Sequence, residues 1–203
     1  MNYYSFMILR YQKTADKINC ILGFLSILTL SALVIIIIKP AAPWVAQLCL
    51  LFTGWLSWTF IEYMLHRFRD HGHDGHTKSK TVQMHHHHHT HPTEIRVSGR
   101  QRTILLFLSM ASLGISFILQ NYFTFIAGLI CGFTWFIFMH YVLHQKWSVK
   151  VFPRLHRYHI YHHCKYPNHC HGISVPWWDI LFNTTPPAKK EITEKIKSFY
   201  YVK

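Results

Sequence analysis

Histidine carries the chemistry of this chain. All 18 histidines lie between His66 and His171 of a 203-residue sequence. They cluster as His66 with His71, an unbroken run from His85 to His89 followed by His91, His140 with His144, and His159 with His162 and His163. Imidazole is a good nitrogen ligand for transition metals, and residues four apart on a helix share a face, so His140 and His144 can converge on one ion. His159, His162 and His163 stand at i, i+3 and i+4 and share a face in the same way. Packed together without metal, three neutral imidazoles would leave buried ring nitrogens unpaired, and three charged ones would repel each other. These residue types at these spacings point to a metal centre supplied from several segments. The run in the middle allows more than one register: His85, His88 and His89 repeat the i, i+3, i+4 pattern, whereas a disordered chelating tract needs no register. Its place in mid-chain argues against a purification tag.

The elements that must position these clusters are membrane helices. The chain is 50% hydrophobic and 14% charged, and no charged residue occurs over 21–38, 41–61 or 103–145. A helix of about 20 apolar residues crosses a ~30 Å hydrocarbon layer, and the third window is long enough for two, divided at Gln120 and Asn121. The expected fold is all-α and integral to the membrane, with four transmembrane helices over approximately 21–38, 41–61, 103–119 and 122–144. Residues 62–102 and 145–203 then form a histidine-rich cap, within a single domain over 1–203. The first apolar run has no small-x-small closing pattern, so a cleaved signal peptide is not expected. His66 and His71 close the second span and His140 and His144 the fourth, each roughly 20 residues in, so both pairs emerge at a similar depth.

Of the 21 Lys and Arg residues, only Lys39 falls on the far side of this topology. The positive-inside rule therefore makes the opposite face, with both termini and every histidine cluster, cytoplasmic: the endoplasmic reticulum membrane in a eukaryote, the inner membrane in a bacterium. The net charge of +13 follows the membrane boundaries. Membrane lipids with anionic headgroups, and no nucleic acid, are the partners this implies. The five cysteines are scattered and suggest no disulfide framework.

Four boxes, EYMLHRFRDH, HHHHHTHP, HYVLH and YHIYHH, with the closing stretch HGISVPWWDILFNT, resemble the fatty acid hydroxylase and sterol desaturase superfamily, and within it the fatty acid 2-hydroxylase branch. The resemblance spans roughly residues 58–185. It implies ten metal ligands: His66, His71, His85, His88, His89, His140, His144, His159, His162 and His163. The family's second box places a proline three residues after its last histidine, so Pro92 selects His85, His88 and His89 and leaves His86, His87 and His91 outside. Ten imidazoles suit a dinuclear centre of two metal ions. The resemblance implies iron for activity, with O2 as co-substrate, and zinc as an occupant that binds imidazole but does no redox chemistry.

The implied reaction is insertion of one oxygen atom from O2 into a C–H bond of a lipid substrate with an acyl chain, most specifically 2-hydroxylation of a fatty acyl chain, free or in a sphingolipid. Many relatives carry a fused heme-binding donor domain, whereas about 20 residues precede the first apolar run here. A separate electron donor, cytochrome b5-like or ferredoxin-like, is therefore expected. Ligating imidazoles commonly donate their other N–H to an acceptor nearby, and Glu62, Tyr158 and Asp179 are the candidates for that role. Trp177 and Trp178 are expected to anchor the membrane interface. The interval between the first two boxes carries the additional histidines His73 and His76. Cys164, His169, Cys170 and His171 read as a loop beside the main centre, since their spacing matches no usual zinc knuckle. A sterol-type desaturase or carotenoid hydroxylase would use similar boxes on another lipid. A non-enzymatic metal-binding membrane protein, such as a transporter, would need polar ligands within its spans, which are nearly free of them.

Overall fold

In hydrocarbon every backbone N–H and C=O must find its partner within the chain, so long apolar segments become helices. The computed structural model describes residues 43–71, 80–95, 97–119, 122–188 and 190–201. Its helices are α1 (Pro43–Met64), which continues into a π-helical segment Leu65–Asp70, then α2 (Lys80–Thr90), α3 (Gly99–Leu119), α4 (Phe123–Leu143), α5 (Ser148–Val151), α6 (Pro153–Cys164), α7 (Trp177–Leu181) and α8 (Glu194–Tyr200). No strand occurs among the described residues. Three helical stretches are long and apolar enough to cross a membrane: Trp44–Asp70, Gly99–Leu119 and Phe123–Leu143. They correspond to three of the four expected spans; the expected span over 21–38 lies outside the described residues. Helix α3 starts at Gly99, ahead of the expected boundary at 103, because long basic side chains can sit in a first helical turn and reach out of it. Arg102 does so over the ring of Tyr141, 3.9 Å from its centroid.

Helix α1 lies along α4, and α4 along α3. The first pair meets backbone to backbone at glycines. A Cβ on Gly54 would stand 2.1 Å from the Phe125 carbonyl oxygen, and one on Gly128 would stand 2.3 Å from that of Leu51. Without a hydrophobic force between helices in lipid, such close approach supplies the packing that holds them together. The α3–α4 pair is joined by a 2.7 Å hydroxyl bond between Ser109 and Thr134. Gly54→Ala and Gly128→Ala are each expected to push α1 and α4 apart and to destabilise the protein by about 1–3 kcal/mol, the usual cost of overpacking. Thermal melting in detergent measures this, and Gly114→Ala, which meets nothing within 4 Å, is the control.

Two further clusters tie the segments after α4 to these helices. Phe60 and Tyr63 of α1 pack with Val175 and Trp178, and Met139 and Leu143 of α4 pack with Leu155 and Ile173. The expectation of a paired tryptophan anchor is corrected here. Trp178 is buried, packs at a tilt against Phe60 with ring centroids 4.8 Å apart and donates its indole N–H to the Thr59 hydroxyl at 3.1 Å, while Trp177 beside it is half-exposed. A buried indole takes an internal partner for its N–H, and Thr59 of α1 provides one.

Candidate metal centre

Each histidine cluster sits where a helix runs out of membrane or on a short helix packed beside it. His140 closes the last turn of α4 and His144 caps its end. Helix α6 begins with Pro153 at its first position, where the missing N–H costs nothing, and buries His159, His162 and His163 on one side. His66 lies within the π-helical segment and His71 caps it. In an α-helix residues five apart point about 140° away from each other. The i→i+5 bonding of a π turn brings them back into line, which is how one helix presents both His66 and His71.

The ten histidines converge, and they divide five and five. His66, His71, His85, His89 and His162 form one group; His88, His140, His144, His159 and His163 form the other. Within each group the ligand nitrogens all lie within 4.8 Å of one another. The two triplets split by the same rule: His85 and His89 join one group while His88 joins the other, and His159 and His163 join one while His162 joins the other. Residues at i and i+4 thus share a centre and the residue at i+3 crosses to its neighbour, so α2 and α6 each bridge both groups. His86, His87 and His91 are exposed and belong to neither; His87 instead pairs with Glu94 at 3.0 Å. His73 and His76 lie outside the described residues.

Both groups have the dimensions of metal polyhedra. Metal–nitrogen bonds of about 2.1 Å place adjacent ligand atoms about 3.0–3.4 Å apart and opposite ones about 4.2 Å apart. Here Nε2 of His85 lies 2.8 Å from that of His71, 2.9 Å from that of His89 and 3.2 Å from that of His66. In the second group His88 and His140 stand 2.9 Å apart, and His159 and His144 3.1 Å, again between Nε2 atoms. The tautomers explain why such contacts need a cation. His66 Nδ1–H donates to the His171 carbonyl at 2.6 Å, and His162 Nδ1–H to the His169 carbonyl at 2.8 Å. A carbonyl only accepts, so each proton sits on Nδ1 and each Nε2 presents a bare lone pair to the same point. In the second group neither ring nitrogen of His163 has a partner, nor does Nδ1 of His159. The residues present therefore fit metal ions, and imidazole donors suit iron or zinc alike.

Burial keeps these rings neutral, as ligands must be. It pushes His88 down to about 4 and His89 to about 3, and drives His144, His159, His162 and His163 well below the ordinary histidine value, with neighbouring histidines adding to the shift. Metal-free protein is accordingly expected to lose stability as pH falls. Above about 6.5 the histidines are neutral both folded and unfolded; below it the unfolded chain takes up protons that the folded one refuses, until about 4 for His88. Melting of chelator-stripped protein from pH 7.5 to pH 5 checks this, and a midpoint that rises in acid would contradict it.

The outer partners are the largest departure from expectation. Glu62 and Asp179 accept backbone amides rather than imidazole N–H groups. Glu62 Oε1 accepts from Ile173 N–H at 2.8 Å and Ser174 N–H at 2.9 Å, and Oε2 from the Ser174 hydroxyl. Asp179 Oδ1 accepts from His171 N–H at 2.9 Å and the Thr184 hydroxyl at 2.7 Å, and Oδ2 from Gly172 N–H at 2.9 Å. Tyr158 is half-buried on α6 and makes no hydrogen bond to any of the ten histidines. Beside the bond from His88 Nδ1–H to the Glu94 carbonyl at 3.3 Å, the imidazole acceptors are the carbonyls of His169 and His171, and the carboxylates hold the loop that carries them. Cys170 between them has φ 60, a left-handed strain of about 1 kcal/mol or more that persists only where the surroundings dictate it. A carbonyl leaves no mark in a side-chain pattern, so no motif could have named these two. Burial pushes Asp179 up to about 6 against the pull of its hydrogen bonds. A second missed residue is Tyr200 of α8, whose ring stacks on His144 at 4.7 Å and whose hydroxyl donates to the Leu143 carbonyl at 2.9 Å. A cavity of about 470 Å³ opens beside both groups, lined by His71, His85, His89 and His163 together with Val82 and Asn168.

Residues 51–184 match the fatty acid hydroxylase family. A dihydroceramide fatty acyl 2-hydroxylase of Arabidopsis thaliana is similar at 29% identity over 142 residues, covering 67% of this chain and 60% of that protein. The fatty acid 2-hydroxylase of Rattus norvegicus is similar at 28% identity over 158 residues, covering 68% of this chain and 40% of that protein. This chain thus spans 60% of the plant relative's length and less of the mammalian one. Among solved structures, full-length Scs7p, of which only the hydroxylase domain is visible, matches with a TM-score of 0.48 and 20% identity over 84% of this chain and 68% of that one.

Proposed function

The chain belongs to the fatty acid hydroxylase family, and we propose that within it the protein is a membrane-bound, O2-dependent hydroxylase that places a hydroxyl beside the carbonyl of a fatty acyl chain, free or in a sphingolipid. The observation that carries this reading is the pair of five-histidine groups bridged by α2 and α6. Iron bound there supplies the change of oxidation state that activation of O2 requires and that zinc lacks. One oxygen atom of O2 enters the C–H bond and the other leaves as water, with two electrons delivered one at a time by a redox donor such as a cytochrome b5-like or ferredoxin-like protein and two protons taken up from water. The plant and mammalian relatives, by their names, act on fatty acyl groups at this same position.

The chain's own residues bind, orient and shield. The ten histidines hold the two ions, and the carbonyls of His169 and His171 fix the tautomers of His162 and His66 so that Nε2 points inward. The reacting carbon sits in the cavity beside His85, His89 and His163, where Val82 contributes an apolar wall. Stacked on His144, the fully buried Tyr200 keeps water from the second group. The histidine-bearing side faces the cytoplasm, with the basic residues. Lipid mass spectrometry of cells with and without the gene tests the assignment. A gain of one oxygen on acyl chains, dependent on the gene, is expected; a loss of two hydrogens in its place makes the protein a desaturase and overturns the reading.

A further inference from the structure

Helix α7 carries two opposed faces. Asp179 and Trp178 point inward and are buried, whereas Trp177, Ile180 and Leu181 are 50%, 53% and 66% exposed. Three large apolar side chains on a five-residue helix form a patch that water does not favour. Its neighbours say what covers it. Trp177 packs edge-on against Trp55 with ring centroids 6.2 Å apart, and Trp178 is held by Phe60 and Thr59. All three partners lie on α1, within a candidate membrane span. Trp55 precedes Glu62, where the charge-free run ends, by seven residues, or about 10 Å of helix. Elements in side-by-side contact share a depth, so the exposed face of α7 stands at a level where α1 itself requires hydrocarbon. The patch is also continuous with the outer surface of α1. Phe52 stacks on Trp55 at 5.8 Å, and Leu48 one turn earlier is more than half exposed.

We propose that α7 is inserted into the acyl-chain layer of the bilayer, on the histidine-bearing side, with Trp177, Ile180 and Leu181 in contact with lipid tails. It enters and leaves from the same side as a wedge rather than a span. Because Asp179 on its inner face grips the 171–172 amides, lipid tails touch the outside of the same helix that holds the site's carbonyl loop.

Full-length protein in phosphatidylcholine vesicles tests this without reference to metal or activity. The tryptophan fluorescence lost on Trp177→Phe is measured by difference in two series, one with lipid brominated at mid-chain and one with lipid spin-labelled on the headgroup. The Trp177 contribution is expected to be quenched more strongly by the mid-chain bromines. Adding Ile180→Trp to the Trp177→Phe protein is expected to restore a contribution with the same preference. Stronger quenching from the headgroup, or quenching from neither because another part of the chain covers α7, overturns the proposal.

Discussion

Alanine at His88 is expected to abolish lipid hydroxylation and to remove one of two bound metal ions, whereas alanine at His87 or His91 leaves both metal and activity within about two-fold. The three residues are near neighbours in one run, yet their surroundings differ completely. His88 is buried, with Nε2 aimed at Nε2 of His140 at 2.9 Å. His87 and His91 stack on each other at the surface, and His87 bonds Glu94. Losing the outer partner of a ligand commonly costs 10–100-fold, so losing the ligand itself should exceed about 100-fold. Elemental analysis beside a product assay reads both effects. His85→Ala should remove the other ion, because His85 sits amid His66, His71 and His89. An equal loss at all six positions of the run would mean a disordered chelating tract, and would sink the assignment of register.

Asp179→Asn is expected to accelerate chelator removal of one metal equivalent by about 10–100-fold while the other equivalent keeps its wild-type rate. Asp179 offers one oxygen to His171 N–H and the other to Gly172 N–H. An amide in its place must turn its own NH2 toward one of those donors, which leaves a buried backbone N–H unpaired. The loop that shifts carries the carbonyls bonded to His66 and His162, and both belong to the same five-histidine group. None of the histidines of the other group hydrogen-bonds this loop, hence the selective effect. Glu62→Gln provides the contrast. One oxygen of Glu62 takes both amides and the other meets a hydroxyl, so a glutamine keeps the first two bonds and can donate the third, and should release both equivalents at near wild-type rates. Equal acceleration of both equivalents by Asp179→Asn, or no acceleration, would remove Asp179 from any role in holding that group.

Much of this was legible in the residues themselves. The exclusion of charge from 41–61 and 103–145 is a local property, and helices α1, α3 and α4 follow it closely. The choice among the six histidines of the central run rests on the family resemblance, through Pro92, since helical periodicity alone left more than one register open. The expected convergence of His140 and His144 rests on helical periodicity, and both lie in one group. Glu62 and Asp179 stood out as carboxylates near the boxes, but their burial and their partners did not. Ile173 and Ser174 are 111 and 112 residues from Glu62, and the relevant groups are amides that every residue possesses.

The sequence by itself pointed, through its motifs, to the family to which the chain belongs and to the histidines that gather, four of them at the ends of membrane helices. Tertiary structure alone decided how the ten divide, since helical spacing places His85, His88 and His89 on one face without saying which neighbour each meets. That depends on where α2 and α6 dock against α1 and α4, and the separation of those two is set by the close approach of Gly54 and Gly128. Tertiary structure likewise decided that a π turn aligns His66 with His71, and that α7 lies against Trp55 and Phe60 with Asp179 turned inward. The physical reason is one of range. Periodicity and charge act over a few residues and can be read along the chain, whereas a lone pair finds its partner, and a loop its anchor, only when distant segments are packed together.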